Sequence, residues 1–161
     1  MAETTELILG ENARTLDDRY RVSLPSELVD QLAADKGACI LAKEQYGCLS
    51  LWNADAWQAK QDEGIALVAS KIQAGRLEGR LLEVQLLGRL LSTRQTQIKL
   101  AGRGRIVLPE GFREFLAVEP GGTVMIIGAA VCIEIWHPER WQQHIAEQMP
   151  EFRQVFDQLS A

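Results

Sequence analysis

The chain has 161 residues, 47% of them apolar and 24% charged, with a formal net charge of −5. This composition fits one folded domain or two small ones. It excludes a disordered chain, and no apolar run approaches the roughly 18 residues that a membrane-spanning helix needs. Spread evenly, the acidity would disfavour a nucleic-acid binder. The opening stretch, MAETTELILGENART, lacks the basic start and apolar core of a secretory signal, and the cysteines number three, so a reducing cytoplasm is expected.

An internal repeat organises the elements. Shifted by 84 residues, the segment Leu16–Lys60 falls on Leu100–His144 without a gap, with 12 identities in 45 positions, among them Arg19/Arg103, Arg21/Arg105, Pro25/Pro109, Trp52/Trp136 and Trp57/Trp141. In the first copy RVSLP reads as a strand leaving a tight loop, and Pro25 opens a short helix, SELVDQLAA. Gly37 marks a turn, ACILA and CLSLW are strands separated by KEQYG, and Asn53 is a helix N-cap. The span from Gln61 to Ile98 reads as helical, leading into a strand near Ser92–Leu100. In the second copy RIVLP is the strand, Pro109 opens EGFREFLAV, and Pro120-Gly121-Gly122 is a turn. TVMII and VCIEIW form a hairpin around Gly128-Ala129-Ala130, and Pro138 sits in a first helical turn. Phe152, Val155, Phe156 and Leu159 recur at helical spacing, as a packed helix or an assembly contact. About 45 residues is near the lower limit for independent folding, so the two copies are expected to pair about a pseudo-two-fold axis.

Few residues suit catalysis. His137 and His144 stand where the first copy has Asn53 and Lys60, so a role common to both copies is excluded and solvated helix positions are the simpler reading. Cys39, Cys48 and Cys132 lack CxxC spacing and fall in apolar runs, which fits small core residues better than metal ligands or nucleophiles. No metal, cofactor or small-molecule substrate is expected, and the chain is not read as an enzyme. Trp52, Trp57, Trp136 and Trp141 either stack on bases or, as is commoner, pin helices to a sheet.

What remains is arginine in tight loops: Arg19 and Arg21 in LDDRYR, Arg103 and Arg105 in LAGRGR. A guanidinium fork holds two acceptors at once, which suits phosphate and the guanine edge. Arg21 could instead fold back onto Asp17, four residues earlier, whereas the second loop contains no acid. The segment 64–108 has eight basic and two acidic residues, a net +6 that leaves −11 for the rest of the chain. Local rather than net charge governs a footprint, although a solvated arginine face would look the same.

The stretches GENARTLDDRYRVSLPSEL, GCLSLWNADAW and RIVLPEGFREFLAVEPGGTVMIIGAAVCIEIWHPERW together resemble the MraZ transcriptional regulators, over about residues 8–145. These are double SpoVT-AbrB proteins linked to the division and cell-wall gene cluster. The resemblance implies an α+β fold with a mainly β core: a duplicated AbrB-type swapped-hairpin β-barrel with flanking helices and an internal pseudo-two-fold. It implies a first SpoVT-AbrB domain at 11–58, a helical connector at 59–94, a second domain at 95–141 and a C-terminal helix or tail at 142–161. It further implies a ring-shaped homo-oligomer in the cytoplasm and at the nucleoid that binds repeated boxes of double-stranded DNA, with no membrane partner. The family signature places aspartate four residues before arginine. Asp17 and Arg21 match it, Ala101 replaces the acid before Arg105, and Tyr20 stands where the family usually has glycine. Carried across, Arg21 and Arg105 contact DNA, Arg19 and Arg103 assist at phosphate, and Asp17 orients the first loop. The competing reading is an AbrB-like protein-interaction, antitoxin-like module without promoter-specific binding.

Overall fold

The computed structural model describes residues 6–34, 37–102 and 104–161. Strands β1 (Ile8–Thr15), β3 (Ala38–Gln45), β4 (Cys48–Asn53), β5 (Gln95–Lys99), β7 (Thr123–Ala130) and β8 (Ile133–Trp136) form one antiparallel sheet in the order β1-β7-β8-β4-β3-β5. A separate ribbon pairs β2 (Arg21–Ser23) with β6 (Arg105–Val107). Helices α1 (Ser26–Leu32) and α4 (Phe112–Leu116) follow the ribbon strands, α2 (Ala54–Gln73) and α3 (Leu81–Thr93) connect the halves, and α5 (Pro138–Gln148) and α6 (Phe152–Ser160) end the chain. No described helix is long and apolar enough to cross a membrane.

The mixed α/β architecture around a large antiparallel sheet agrees with the sequence reading. The sheet is open: among the described residues β1 and β5 each have one neighbour. Its order reads the same from either end when each strand is exchanged for its counterpart 84 residues away. Two cross-strand pairs join residues 84 apart, Ser50 with Glu134 and Val22 with Ile106. The edge strands cross over: β1 lies on β7, and β5 lies on β3.

Alternation decides which face each residue serves. Leu49, Leu51, Ile133 and Ile135 project to the side covered by the ribbon, α1 and α4, where they meet Leu16, Val22, Leu28, Ile106, Leu108 and Leu116 in one core. Cys48, Ile127 and Trp136 project to the other side, under Trp141 of α5. The inner strands are thus apolar on both faces, which is why ACILA and CLSLW read as continuous runs.

Two local expectations need correction. Gly128-Ala129-Ala130 is not the hairpin turn; β7 runs through it, pairing with Ile8–Gly10, and the chain reverses between Ala130 and Ile133. Gly128 serves close approach instead: a Cβ there would lie 2.7 Å from the Ile8 carbonyl oxygen and from Leu9 N and Cα. Helix α4 begins at Phe112 rather than at Pro109, because Gly111 adopts φ 84° and holds off the helix.

Asn53 caps α2 as expected, its Oδ1 accepting from the N–H groups of Asp55 (3.0 Å) and Ala56 (3.2 Å). Its Nδ2 also donates to the Leu32 and Ala33 carbonyls at the end of α1, at 3.3 and 2.8 Å. Asn53→Ala therefore removes a cap and strands two carbonyls; a loss of about 1–2 kcal/mol is expected in urea unfolding. Asn53→Ser, which keeps a cap acceptor and sets no second oxygen against those carbonyls, should lose less.

Candidate nucleic-acid interface

The ribbon places the two arginine loops. Val22 and Ile106 point inward and are 1% exposed, each anchored by about 1.5–3 kcal/mol of apolar burial. Alternation then turns Arg21 and Ser23 of β2, and Arg105 and Val107 of β6, to the outside. Arg21 is paired with Val107 and Ser23 with Arg105, so the arginines stand diagonally on one face, their Cα atoms about 8 Å apart by strand spacing. The turns that precede them lie at opposite ends of the ribbon. Each is tied to the other strand: Leu108 N–H donates to the Tyr20 carbonyl (2.8 Å), and Leu24 N–H to that of Gly104 (3.0 Å).

The first turn is built around Asp17. Its Oδ1 accepts from the N–H groups of Arg19 (2.9 Å) and Arg21 (2.8 Å), and its Oδ2 from Arg21 Nε (2.7 Å). The Arg21 N–H does most to hold the Asp17 carboxyl below its ordinary value of 3.8; the Arg19 N–H and the Arg21 guanidinium add to it against partial desolvation. As pH falls through that lowered value, the carboxyl takes a proton and the clasp weakens. The fold-back of Arg21 onto Asp17 is therefore present. It engages Nε, and the terminal guanidinium nitrogens have no partner among the described residues. Arg19 is exposed beside it.

Among the described residues the second turn closes through backbone bonds. Ala101 and Arg105 exchange N–H···O bonds of 2.8 and 2.9 Å, and Gly104 N–H adds a third to the Ala101 carbonyl. Positive φ at Gly102 and Gly104 makes this possible. Ala101 thus costs the loop no closure. It removes the acid, leaving Arg105 exposed and without a salt bridge among the described residues. Arg103 lies outside the described residues.

Tyr20 takes φ 58°, a strained region for a side-chain-bearing residue. Its ring lies under the Arg113 guanidinium, 4.1 Å from its centre, and Arg113 Nε donates to the Leu108 carbonyl (2.6 Å). This stack offsets the strain by a cation–π contact of about 0.5–2 kcal/mol. Sequence reasoning missed Arg113 and also the outward Ser23 and Val107. The period-2 alternation of RVS and RIV would have found the latter two.

The remaining candidates are placed elsewhere. The indoles of Trp52 and Trp136 donate to Ser50 Oγ (2.8 Å) and Glu134 Oε1 (3.0 Å), and each packs against its partner, Trp57 or Trp141. His137 caps α5, its Nδ1 accepting from Glu139 N–H (3.2 Å), and His144 lies against Trp136. All three cysteines are buried; burial pushes Cys39 to about 11 and Cys132 to about 12, and raises Cys48 as well. They remain thiols at neutral pH. Among the described residues no group of three or more His, Cys, Asp or Glu could hold a metal ion.

Comparison with known proteins gives this geometry a context. The family model described as MraZ protein, with an antitoxin-like character suggested, matches residues 7–78 and 91–159. Proteins named transcriptional regulator MraZ match along nearly their whole length. That of Heliobacterium modesticaldum is 26% identical over 95% of this chain and 96% of its own. That of Roseiflexus sp. (strain RS-1) is 31% identical over 84% and 85%, and that of Thermus thermophilus 26% identical over 86% and 87%. The chain belongs to the MraZ family.

Proposed function

We propose that this member of the MraZ family is a transcriptional regulator that grips double-stranded DNA with the outer face of the β2–β6 ribbon. The observation that carries this reading is the pair Arg21 and Arg105, 84 residues apart in sequence, standing on one face of one ribbon whose outward residues include no acid. A two-stranded ribbon fits the roughly 12 Å width of the major groove, and outward arginines reach guanine edges or phosphate there. Arg19 and Arg103 serve phosphate, and Asp17 fixes the first turn. The protein acts in the cytoplasm and at the nucleoid.

The palindromic strand order and exchanged edge strands support a pseudo-two-fold swapped-hairpin barrel made from both SpoVT-AbrB copies. A ring of such chains presents many ribbons to repeated promoter boxes. Tethering raises the effective concentration of each further contact, so an acidic chain with few cations per subunit still binds tightly. The genes served are those of division and the cell wall.

Phosphate contacts release counterions, so binding to the protein's own upstream region should fall steeply with salt. With up to four arginines engaged per subunit, the log–log slope should be steeper than about −3 for each engaged subunit. A slope shallower than about −1 in an anisotropy titration would remove DNA as the target. The antitoxin-like module then becomes the reading to follow, by testing for a co-purifying protein.

A further inference from the structure

The outer face of the ribbon carries two residues that the arginine contacts leave unused, Ser23 and Val107. Both are exposed, Val107 at 51%, on strands whose inward residues are buried. They are counterparts 84 residues apart, as Arg21 and Arg105 are. Cross-strand pairing sets Val107 beside Arg21 and Ser23 beside Arg105. The bonds from Leu108 N–H to the Tyr20 carbonyl and from Leu24 N–H to the Gly104 carbonyl flank these two pairs. Both are therefore non-hydrogen-bonded pairs, with Cα atoms about 4.5 Å apart and side chains close together. The face is one two-residue unit displayed twice, an arginine with a short neighbour. That neighbour offers a hydroxyl at one end of the ribbon and an isopropyl group at the other.

We infer that Val107 reads the methyl group of a thymine next to the base pair that Arg21 holds, and that Ser23 makes no such demand beside Arg105. The inference rests on the DNA reading above and gives it base specificity. The C5-methyl of thymine is the apolar feature of the major-groove edge, and an apolar side chain is what recognises it. A serine hydroxyl both donates and accepts, so it suits several base edges. Distance agrees: the separation of about 4.5 Å across a pair is close to one base-pair rise of about 3.4 Å, which sets Val107 over the base pair adjoining the arginine's. The first turn adds rigidity at this end. Asp17 holds Arg21 by Nε, so guanidinium and isopropyl group keep one relative position, whereas Arg105 has no salt bridge among the described residues. The Arg21–Val107 end is thus the exacting one, and the ribbon distinguishes the two directions along a duplex.

The test compares the protein's own upstream duplex with the same duplex carrying deoxyuridine in place of every thymine, in anisotropy titrations of the full chain. Deoxyuridine pairs as thymine does and keeps every phosphate, but it lacks the methyl. Burying one methyl is worth about fourfold in affinity, so the parent should bind the thymine duplex at least about fourfold tighter. Val107→Ser should lose that preference. Val107→Thr, which keeps a methyl on a β-branched side chain, should retain it. The exposed position leaves the core filled in both variants, and circular dichroism establishes their folding. Deoxyuridine placed at one thymine at a time should weaken binding at a single position in each box; equal losses at two positions related by the centre of the box would overturn the difference assigned to Ser23. A parent indifferent to the methyl overturns the role of Val107, as does Val107→Ser with the parent's preference. Failure of the DNA reading itself looks different: Arg21→Ala and Arg105→Ala would then bind the thymine duplex as the parent does, whereas failure of the methyl contact alone leaves both weakened.

Discussion

Arg105→Ala should weaken binding to a duplex from the protein's own upstream region by more than about 100-fold while leaving the mass of the assembly unchanged. A bidentate arginine contact discriminates by about 1–3 kcal/mol, or roughly 5- to 150-fold, at a single site. In a tethered array every subunit loses it, and the losses multiply through the shared encounter. Arg21→Ala should cost more still. Its guanidinium pairs with Asp17, so its removal leaves an exposed carboxylate near the phosphates. The double change Asp17→Asn with Arg21→Ala, which removes the charge but keeps the Oδ1 acceptor of the turn, should then bind better than Arg21→Ala alone, a rescue that a purely structural role for the pair would not give. Anisotropy titrations at fixed salt, with light scattering on the same samples, read all three. Parent-like binding by both single variants would sink the ribbon as the DNA-binding face.

Legibility in the sequence followed the range of the interactions. The Asn53 cap, the paired indoles and the arginine loops were visible because neighbours within a few residues determine them. The repeat carried further: a correspondence at 84 residues foreshadowed a sheet whose order is its own reverse. What stayed hidden was set by partners far away along the chain. Tyr20 looked like a departure from glycine, but its strained φ is held by Arg113, almost a hundred residues on. Ala101 looked like a damaged signature, yet backbone bonds close that turn without the acid. The exposed stripe of α6 was legible as amphipathic, but only the three-dimensional arrangement shows that its own chain leaves it uncovered.

Gly128 is the sharpest such case, and its replacement should be the most damaging to stability. Local composition made Gly-Ala-Ala a turn; the reason for glycine there is β1, which arrives from the other end of the chain and sets Gly10 against Gly128. A Cβ at 128 would sit 2.7 Å from three backbone atoms of Ile8 and Leu9, and backbone cannot step aside as a side-chain tip can. Gly128→Val therefore forces β1 off β7, releasing the end of an eight-pair ladder and exposing Ile8, which is 4% exposed when paired. Loss of a buried contact with overpacking should cost about 3 kcal/mol or more. Gly121→Ala is the control. Gly121, unlike Gly128, sits at positive φ, 88°, but the new Cβ meets nothing within 4 Å, so only the local strain of about 1–2 kcal/mol applies. Urea midpoints at equal protomer concentration should rank parent, Gly121→Ala and Gly128→Val in that order. If the two variants unfold together, the close approach of β1 is not what selects glycine, and β1 is held less tightly than its register indicates.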